Sequence, residues 1–213
     1  METTSSSLLW SFFYLLHHPE CQGKIHQELD TQIGRDRMPS LDDKTNLHYT
    51  NAFMHEAMRC TAFVPMSVFH FTYSEIKFKG YTIPADTVLI ASLYHVLHNP
   101  EYFPEPEKFK PERFLDSEGR FRSDDRVVPF GIGKRYCLGK SLAEKEYYLF
   151  FTGLMQAFEV SNASGQNLPS YAIKDVPVPG LVRAVPEYEV VLTSREWKIL
   201  KQNTYDILGQ LMI

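Results

Sequence analysis

A loop with an unusual composition runs over Pro129–Gly139, PFGIGKRYCLG, and is followed by a segment with the apolar spacing of a helix. It contains three glycines, two adjacent basic residues and one cysteine. A glycine-rich loop that opens a helix can bind a phosphate through its backbone N–H groups. A cysteine in such a loop can instead hold a metal. Each alternative requires particular partners elsewhere in the chain.

The phosphate alternative depends on spacing. Gly139-Lys140-Ser141 matches the end of a P-loop, whose first glycine would then stand at position 134. The chain has Lys134 there, and Gly133 is one residue too early. Because successive backbone N–H groups must wrap one phosphate, this difference argues against a nucleotide site.

Cys137 leaves several alternatives open. A zinc site needs four ligands, usually with a neighbouring Cys or His, and none lies close to Cys137 in the sequence. A cysteine nucleophile needs a base, but no local pattern connects any of the eight histidines to it. A small buried thiol is the simplest structural alternative. With Cys21 and Cys60, it makes an odd, widely spaced set that indicates reduced thiols facing the cytosol.

Composition limits the class of protein. The 213 residues are 44% hydrophobic, which predicts a globular core or a piece of a larger one. A net charge of -4 without a basic run argues against nucleic-acid binding. The apolar segment 8–16 is too short to span a bilayer, and no basic region precedes it as in a signal peptide. We therefore expect no membrane anchor in this chain.

Periodicity predicts a mainly α fold with small β-sheets, an α+β class. Helices are expected over 3–17, 20–33, 47–60 and 143–158. Pro19 suits the first position of the second helix. Short strands are expected within 67–78, at 81–83 and 88–93, and in a pair around 179–180 and 188–193. Residues 99–126 read as an ordered loop with little regular structure.

The loop as a whole identifies a family. Five fixed positions, Phe130, Gly133, Arg135, Cys137 and Gly139, would recur by chance on the order of once in tens of thousands of chains this size. This pattern resembles the haem-ligand loop of the cytochrome P-450 family, the haem-thiolate monooxygenases. The resemblance implies that the Cys137 thiolate is the axial ligand of the iron in haem b, iron protoporphyrin IX.

The other loop residues also have implied roles. Arg135 would pair with a haem propionate, and Phe130 would keep water from the sulfur. Gly133 and Gly139 would let the backbone approach closely enough for its N–H groups to bond the sulfur. His70 stands where related sequences place a second propionate-binding base, although a strand histidine facing solvent is a fair alternative.

Two further motifs match the family in order. Glu56 and Arg59 form an ExxR pair, and Arg113 lies in the downstream sequence PERF. The resemblance implies that these three side chains form a buried network that supports the haem loop. A solvated surface pair is the ordinary explanation of an isolated ExxR.

The resemblance also assigns a pocket and a proton relay. Val64, Met66 and Val68 would line the substrate pocket, and Leu181, in the turn 178–181, would reach it from the other side. Thr3 would stabilise iron-bound dioxygen, and Glu2 would help to relay protons. Helix capping is the simple alternative for Thr3.

The resemblance covers a partial domain, residues 1–195, and maps to the C-terminal half of the family's fold. Residues 196–213 form an extra tail to which we assign no role. Animal microsomal members are most similar, which implies a flavoprotein reductase as electron donor, dioxygen and an apolar small molecule as substrates, and the cytosolic face of the endoplasmic reticulum membrane. We expect membrane association of the full-length enzyme and little activity of this chain alone. The alternative is a non-catalytic fragment that binds little or no haem.

Overall fold

The computed structural model describes residues 2–172, 175 and 181–195. Helix α1 (Glu2–His17) is followed after one residue by α2 (Pro19–Gln32). Pro19 occupies the first turn of α2, where its missing N–H removes no helical hydrogen bond. Both helices confirm the sequence prediction. No helix within the described ranges is long and apolar enough to cross a membrane.

Three more helices complete the α-helical part. Helix α3 (His48–Thr61) follows a 3₁₀ turn at Leu41–Asn46, α4 (Leu93–Leu97) is short, and α5 (Lys140–Ala157) is the longest described. The main core lies between α1, α2, α3 and α5. Aromatic rings fill its centre, since Phe53 stacks on Phe151 and Tyr14 stacks on Phe109 with ring centroids 5.4 and 4.5 Å apart.

Three two-stranded antiparallel sheets flank the helices. Strand β1 (His70–Phe71) pairs with β4 (Val88–Leu89), and β2 (Ile76–Phe78) pairs with β3 (Tyr81–Ile83). The β2–β3 turn has positive φ at both central residues, as a tight hairpin requires. Strand β5 (Phe158–Asn162) pairs with β6 (Val190–Ser194) in the register Val160 to Leu192.

Two predicted boundaries differ in the structure, one through strand pairing and one through a local helix cap. Phe158 was expected at the end of the amphipathic helix, but α5 ends at Ala157 and Phe158 begins β5 opposite Ser194. Leu93 was expected in a strand, but it begins α4, because the Ser92 hydroxyl accepts a hydrogen bond from the His95 N–H at 3.2 Å and caps that helix.

The remaining predictions divide between the described residues and those outside them. The strand predicted at 188–193 is present as β6, and its partner is β5. The partner predicted around 179–180 and the tail 196–213 lie outside the described residues. The loop 99–126 contains one 3₁₀ turn, at Pro111–Phe114, and is otherwise largely irregular. The predicted α+β class is confirmed.

Candidate functional site

The loop that carries Cys137 folds back on itself. The Cys137 N–H donates to the Phe130 carbonyl at 2.9 Å, and the Lys140 N–H donates to the Cys137 carbonyl at 3.2 Å. Gly131 and Gly133 have φ of +73° and +69°, a left-handed conformation that other residues rarely adopt. These two bends return the chain to Phe130 and start α5 three residues after the cysteine.

The Cys137 side chain is available to a ligand. It is exposed, whereas Cys21 and Cys60 are buried, and all three are free. The buried-thiol alternative therefore does not describe Cys137. Among the described residues, no three His, Cys, Asp or Glu side chains come together as ligands of a metal ion.

An open cavity of about 450 Å³ lies beside this loop. Its volume is within the range of small-molecule and cofactor sites. Most of the wall is apolar, and it also holds the thiol and two basic side chains. The cavity brings together seven of the residues singled out from the sequence, which are Thr3, Val64, Val68, His70, Phe130, Arg135 and Cys137.

Other predicted site residues lie elsewhere. Within the described residues, the cavity wall does not include Met66 or Leu181, which are 44% and 56% exposed. Gly133 is exposed and does not line the cavity, and a Cβ added at Gly139 would stand 3.9 Å from the Cys137 Sγ, an ordinary contact distance. The side chain of Glu2 is outside the description.

The chemistry of the cavity fits haem. An apolar wall suits a flat macrocycle, an exposed thiol can bind iron as a thiolate, and two bases can face carboxylates. His70, on β1, and Arg135, in the loop, are both exposed on the cavity. The same arrangement leaves the thiol open to solvent in this chain.

A buried ion-pair network lies behind the site. The Glu56 carboxylate accepts from Arg59 Nε at 2.7 Å and from Arg113 Nε at 2.9 Å. It also accepts from the Lys110 N–H at 2.9 Å, and Glu56 and Arg59 have no exposed side-chain area. Burial alone would lower the pKa of Arg59, but the hydrogen bonds that it donates to Glu56 hold the pKa above its ordinary value.

The two arginines of this network hold the irregular segment that follows α4. Arg59 donates to the carbonyls of Leu97 and Pro106 at 2.7 and 2.9 Å. Arg113 donates to the carbonyls of Pro104 and Lys108 at 3.0 and 3.1 Å. The surface-pair alternative therefore does not describe the ExxR motif, because both charged side chains are buried and hydrogen-bonded.

Sequence reasoning missed two features of the site. Tyr147 is buried on the cavity wall, and its hydroxyl bonds Ser11 on α1 across 136 residues of sequence. The Ser11 hydroxyl already donates to the Ser7 carbonyl, so the phenol is the donor in that pair. Arg183 is also buried beside the wall. Neither residue belongs to a local motif, so a single sequence carries no signal for them.

Comparison with known proteins decides the family. A family model described as Cytochrome P450 matches residues 1–192. The chain belongs to the cytochrome P450 family. It is 39% identical over 195 residues to cytochrome P450 2G1 of Oryctolagus cuniculus, covering 91% of this chain and 39% of that protein. It is 40% identical over 189 residues to cytochrome P450 2D26 of Rattus norvegicus, covering 87% and 38%.

Cytochrome P450 2A13 of Homo sapiens is similarly related, with 41% identity over 157 residues, 74% of this chain and 32% of that protein. These mammalian relatives confirm the predicted similarity to animal members of the family. The chain spans less than two fifths of the length of the curated relatives it matches. The family is one of haem-containing monooxygenases, which confirms the broad class of the prediction.

Proposed function

We propose that this chain carries the haem site of a haem-thiolate monooxygenase that oxidises an apolar small molecule. The observation that carries the proposal is the meeting of Cys137, Arg135 and His70 on one apolar cavity. When bound, haem supplies the dioxygen chemistry, which inserts one oxygen atom into the substrate and reduces the other to water. A flavoprotein reductase supplies two electrons, at the cytosolic face of the endoplasmic reticulum membrane.

The loop residues hold and shield the cofactor. The Cys137 thiolate binds the iron, and the half-buried ring of Phe130 restricts water beside the sulfur. Arg135 and His70 bind the two haem carboxylates from the loop and from β1. Glu56, Arg59 and Arg113 are structural, since they hold segments behind the loop and do not line the cavity.

The start of α1 supplies protons, and the opposite wall binds the substrate. Thr3 lines the cavity, where its hydroxyl would stabilise bound dioxygen, and Glu2 would help to relay protons. Val64 and Val68 contact the substrate directly. Met66 lies in the same segment as Val64 and Val68, Leu181 lies in the predicted turn 178–181, and both contribute to the pocket from beyond the described cavity wall. Residues 1–195 form part of a cytochrome P450 domain, and 196–213 are an extra stretch of sequence to which no role is assigned.

One observation favours a second function. Thr3, His70, Arg135 and Cys137 are all exposed in this chain, so a bound haem would keep much of its surface in water. Haem affinity depends on burying the macrocycle. The alternative is therefore a non-catalytic chain that binds haem weakly or not at all.

Haem content separates the two functions. The chain is expressed with excess haem precursor, and the haem-to-protein ratio and haem affinity are measured for wild type and for Arg135→Gln/His70→Gln. Arg120→Gln is the control, because Arg120 pairs with Asp116 and Glu118 away from the cavity. The proposal predicts a haem-to-protein ratio near one for wild type. The haem affinity should be lower in the double variant and unchanged in the control.

Other results decide against parts of the proposal. A wild-type ratio near zero supports the non-catalytic alternative. Equal haem affinity in wild type and double variant refutes the roles of Arg135 and His70. With haem bound, incubation with a microsomal flavoprotein reductase and isotopically labelled dioxygen tests activity, since a monooxygenase leaves one labelled atom in the product.

A further inference from the structure

Arg183 forms a clamp at the carbonyl end of α3. Its side chain is 1% exposed and donates to the carbonyls of Cys60 and Thr61 at 3.1 and 3.0 Å. It also donates to the carbonyl of Tyr171. The last carbonyls of a helix have no partner within the helix, and a cation there is further favoured by the helix dipole. Arg183 therefore caps α3 from 122 residues away.

The backbone of Arg183 adds two more contacts. Its N–H donates to the Phe63 carbonyl at 2.8 Å, and its carbonyl accepts from Trp10 Nε1 at 3.4 Å. The guanidinium carbon also stands 4.6 Å from the centre of the Trp10 ring. One residue thus joins α1, the end of α3 and the turn that follows it.

That turn is part of the cavity. Thr61, Phe63 and Val64 line it. Between them Ala62 has φ of +42°, a left-handed conformation that is unfavourable for alanine and persists only where its surroundings hold it. The contacts of Arg183 on both sides of Ala62 provide this support. Arg183 also follows Leu181 by two positions in the sequence. It therefore connects the two segments that are proposed to line the substrate pocket.

The charge of Arg183 is not balanced by a direct ion pair among the described residues. Within the part of the chain that the structure describes, no carboxylate lies within ion-pair distance of it. Burial lowers the pKa of Arg183, and the Glu107 carboxylate, which is not an ion-pair partner, only partly offsets this effect. Its hydrogen-bond partners are the carbonyl oxygens of Cys60, Thr61 and Tyr171, so these backbone groups fix its position.

We propose that Arg183 is a positioning residue that sets the shape of the cavity and thereby determines which apolar substrates it accepts. The proposal rests on the proposed function, because it concerns the substrate side of the same cavity. Arg183 acts through Thr61–Val64 and touches neither the cofactor nor the substrate. Its loss changes the selectivity of the cavity while the Cys137 loop stays in place.

A matched control is available in Arg195. Its side chain also caps a helix, donating to the carbonyls of Met155 and Gln156 at the end of α5 at 3.1 and 3.3 Å. Arg195 does not line the cavity. Its ion-pair partner Asp30 also pairs with Arg35, so replacing Arg195 does not leave the Asp30 carboxylate without a counter-charge. Arg195→Met therefore removes a comparable cap at a distance from the site.

The experiment compares ligand selectivity in Arg183→Met, Arg183→Lys and Arg195→Met. Affinities for ethylbenzene and biphenyl are measured from the shift of the haem Soret band. Arg183→Met should change their ratio by about tenfold, comparable to the discrimination of one methylene group in a pocket. Arg183→Lys should give a smaller change, and Arg195→Met none beyond twofold. The thiolate-type Soret band stays in all three.

A second measurement does not depend on haem. Hydrogen exchange should show loss of amide protection in 61–68 and 181–183 for Arg183→Met, with α2 and α5 unaffected. The proposal is overturned if the affinity ratio is unchanged, if Arg195→Met alters it equally, or if protection in 61–68 is kept. Absence of haem from wild type would contradict the proposed function, and hydrogen exchange would still decide the role of Arg183. If Arg183→Met fails to fold, the same measurements are made on Arg183→Lys.

Discussion

Replacing Glu56 by glutamine should strongly destabilise the fold. The substitution keeps the shape of the side chain but removes the only negative charge in the Glu56–Arg59–Arg113 network of the described residues. Two guanidinium groups with at most 9% of their side-chain area exposed then lose their counter-charge. Breaking a buried ion pair by removing one partner costs about 3–5 kcal/mol. That is a large share of the roughly 5–15 kcal/mol that stabilises a typical domain.

Urea unfolding measures this loss. With a slope of about 2 kcal/mol per molar urea, the unfolding midpoint of Glu56→Gln should fall by about 2 M. Glu105→Gln is the control, because Glu105 pairs with Lys108 on the surface, and its midpoint should stay close to that of wild type. A Glu56→Gln midpoint within 0.5 M of wild type, on the order of 1 kcal/mol, would refute the argument that the network is a structural support.

Two further predictions concern pH and backbone conformation. Burial lowers the pKa of His55 and of His98 to about 4 from an ordinary value of 6.5. The unfolded chain then binds protons that the folded chain does not, so stability should be full above about pH 6.5 and fall towards pH 4, by up to about 1.4 kcal/mol per unit for each histidine. Urea unfolding at pH 7.5 and 5 should show this, with a smaller fall in His55→Phe, whereas an equal fall would exclude His55. Gly131→Ala should cost about 1–2 kcal/mol because φ is +73° there, and Gly139→Ala, at φ of −83°, should cost less. Equal thermal stability of these two variants would contradict the assigned backbone requirement.

Local signals predicted most of the helices. Pro19 marks the start of α2, and a 3.6-residue apolar period marks α1, α3 and α5. The predicted end of α5 was wrong because a distant strand decides the conformation there. Phe158 continues the apolar face of α5 in the sequence, but backbone pairing with β6 draws it into a strand. Ser194, which pairs with Phe158, is 36 residues away in the sequence, so the apolar pattern around Phe158 does not indicate this pairing.

The candidate site also has a part that the local sequence predicts and a part that it does not. The loop pattern around Cys137 is contiguous, so the sequence alone was enough to propose its family and cofactor. The contacts that shape the rest of the cavity join residues far apart in the chain, such as Tyr147 with Ser11 and Arg183 with Thr61. An arginine or a tyrosine in an apolar segment has many possible partners. Only the folded arrangement selects one of them.

The most direct test of the central claim is the identity of the haem ligand. The reduced carbon-monoxide difference spectrum is recorded for the haem-loaded wild-type chain, for Cys137→Ala and for Cys21→Ala, which removes a buried thiol from α2. If Cys137 is the axial ligand, a thiolate-type Soret band appears in wild type and in Cys21→Ala and is absent from Cys137→Ala. A thiolate band that survives in Cys137→Ala would contradict it.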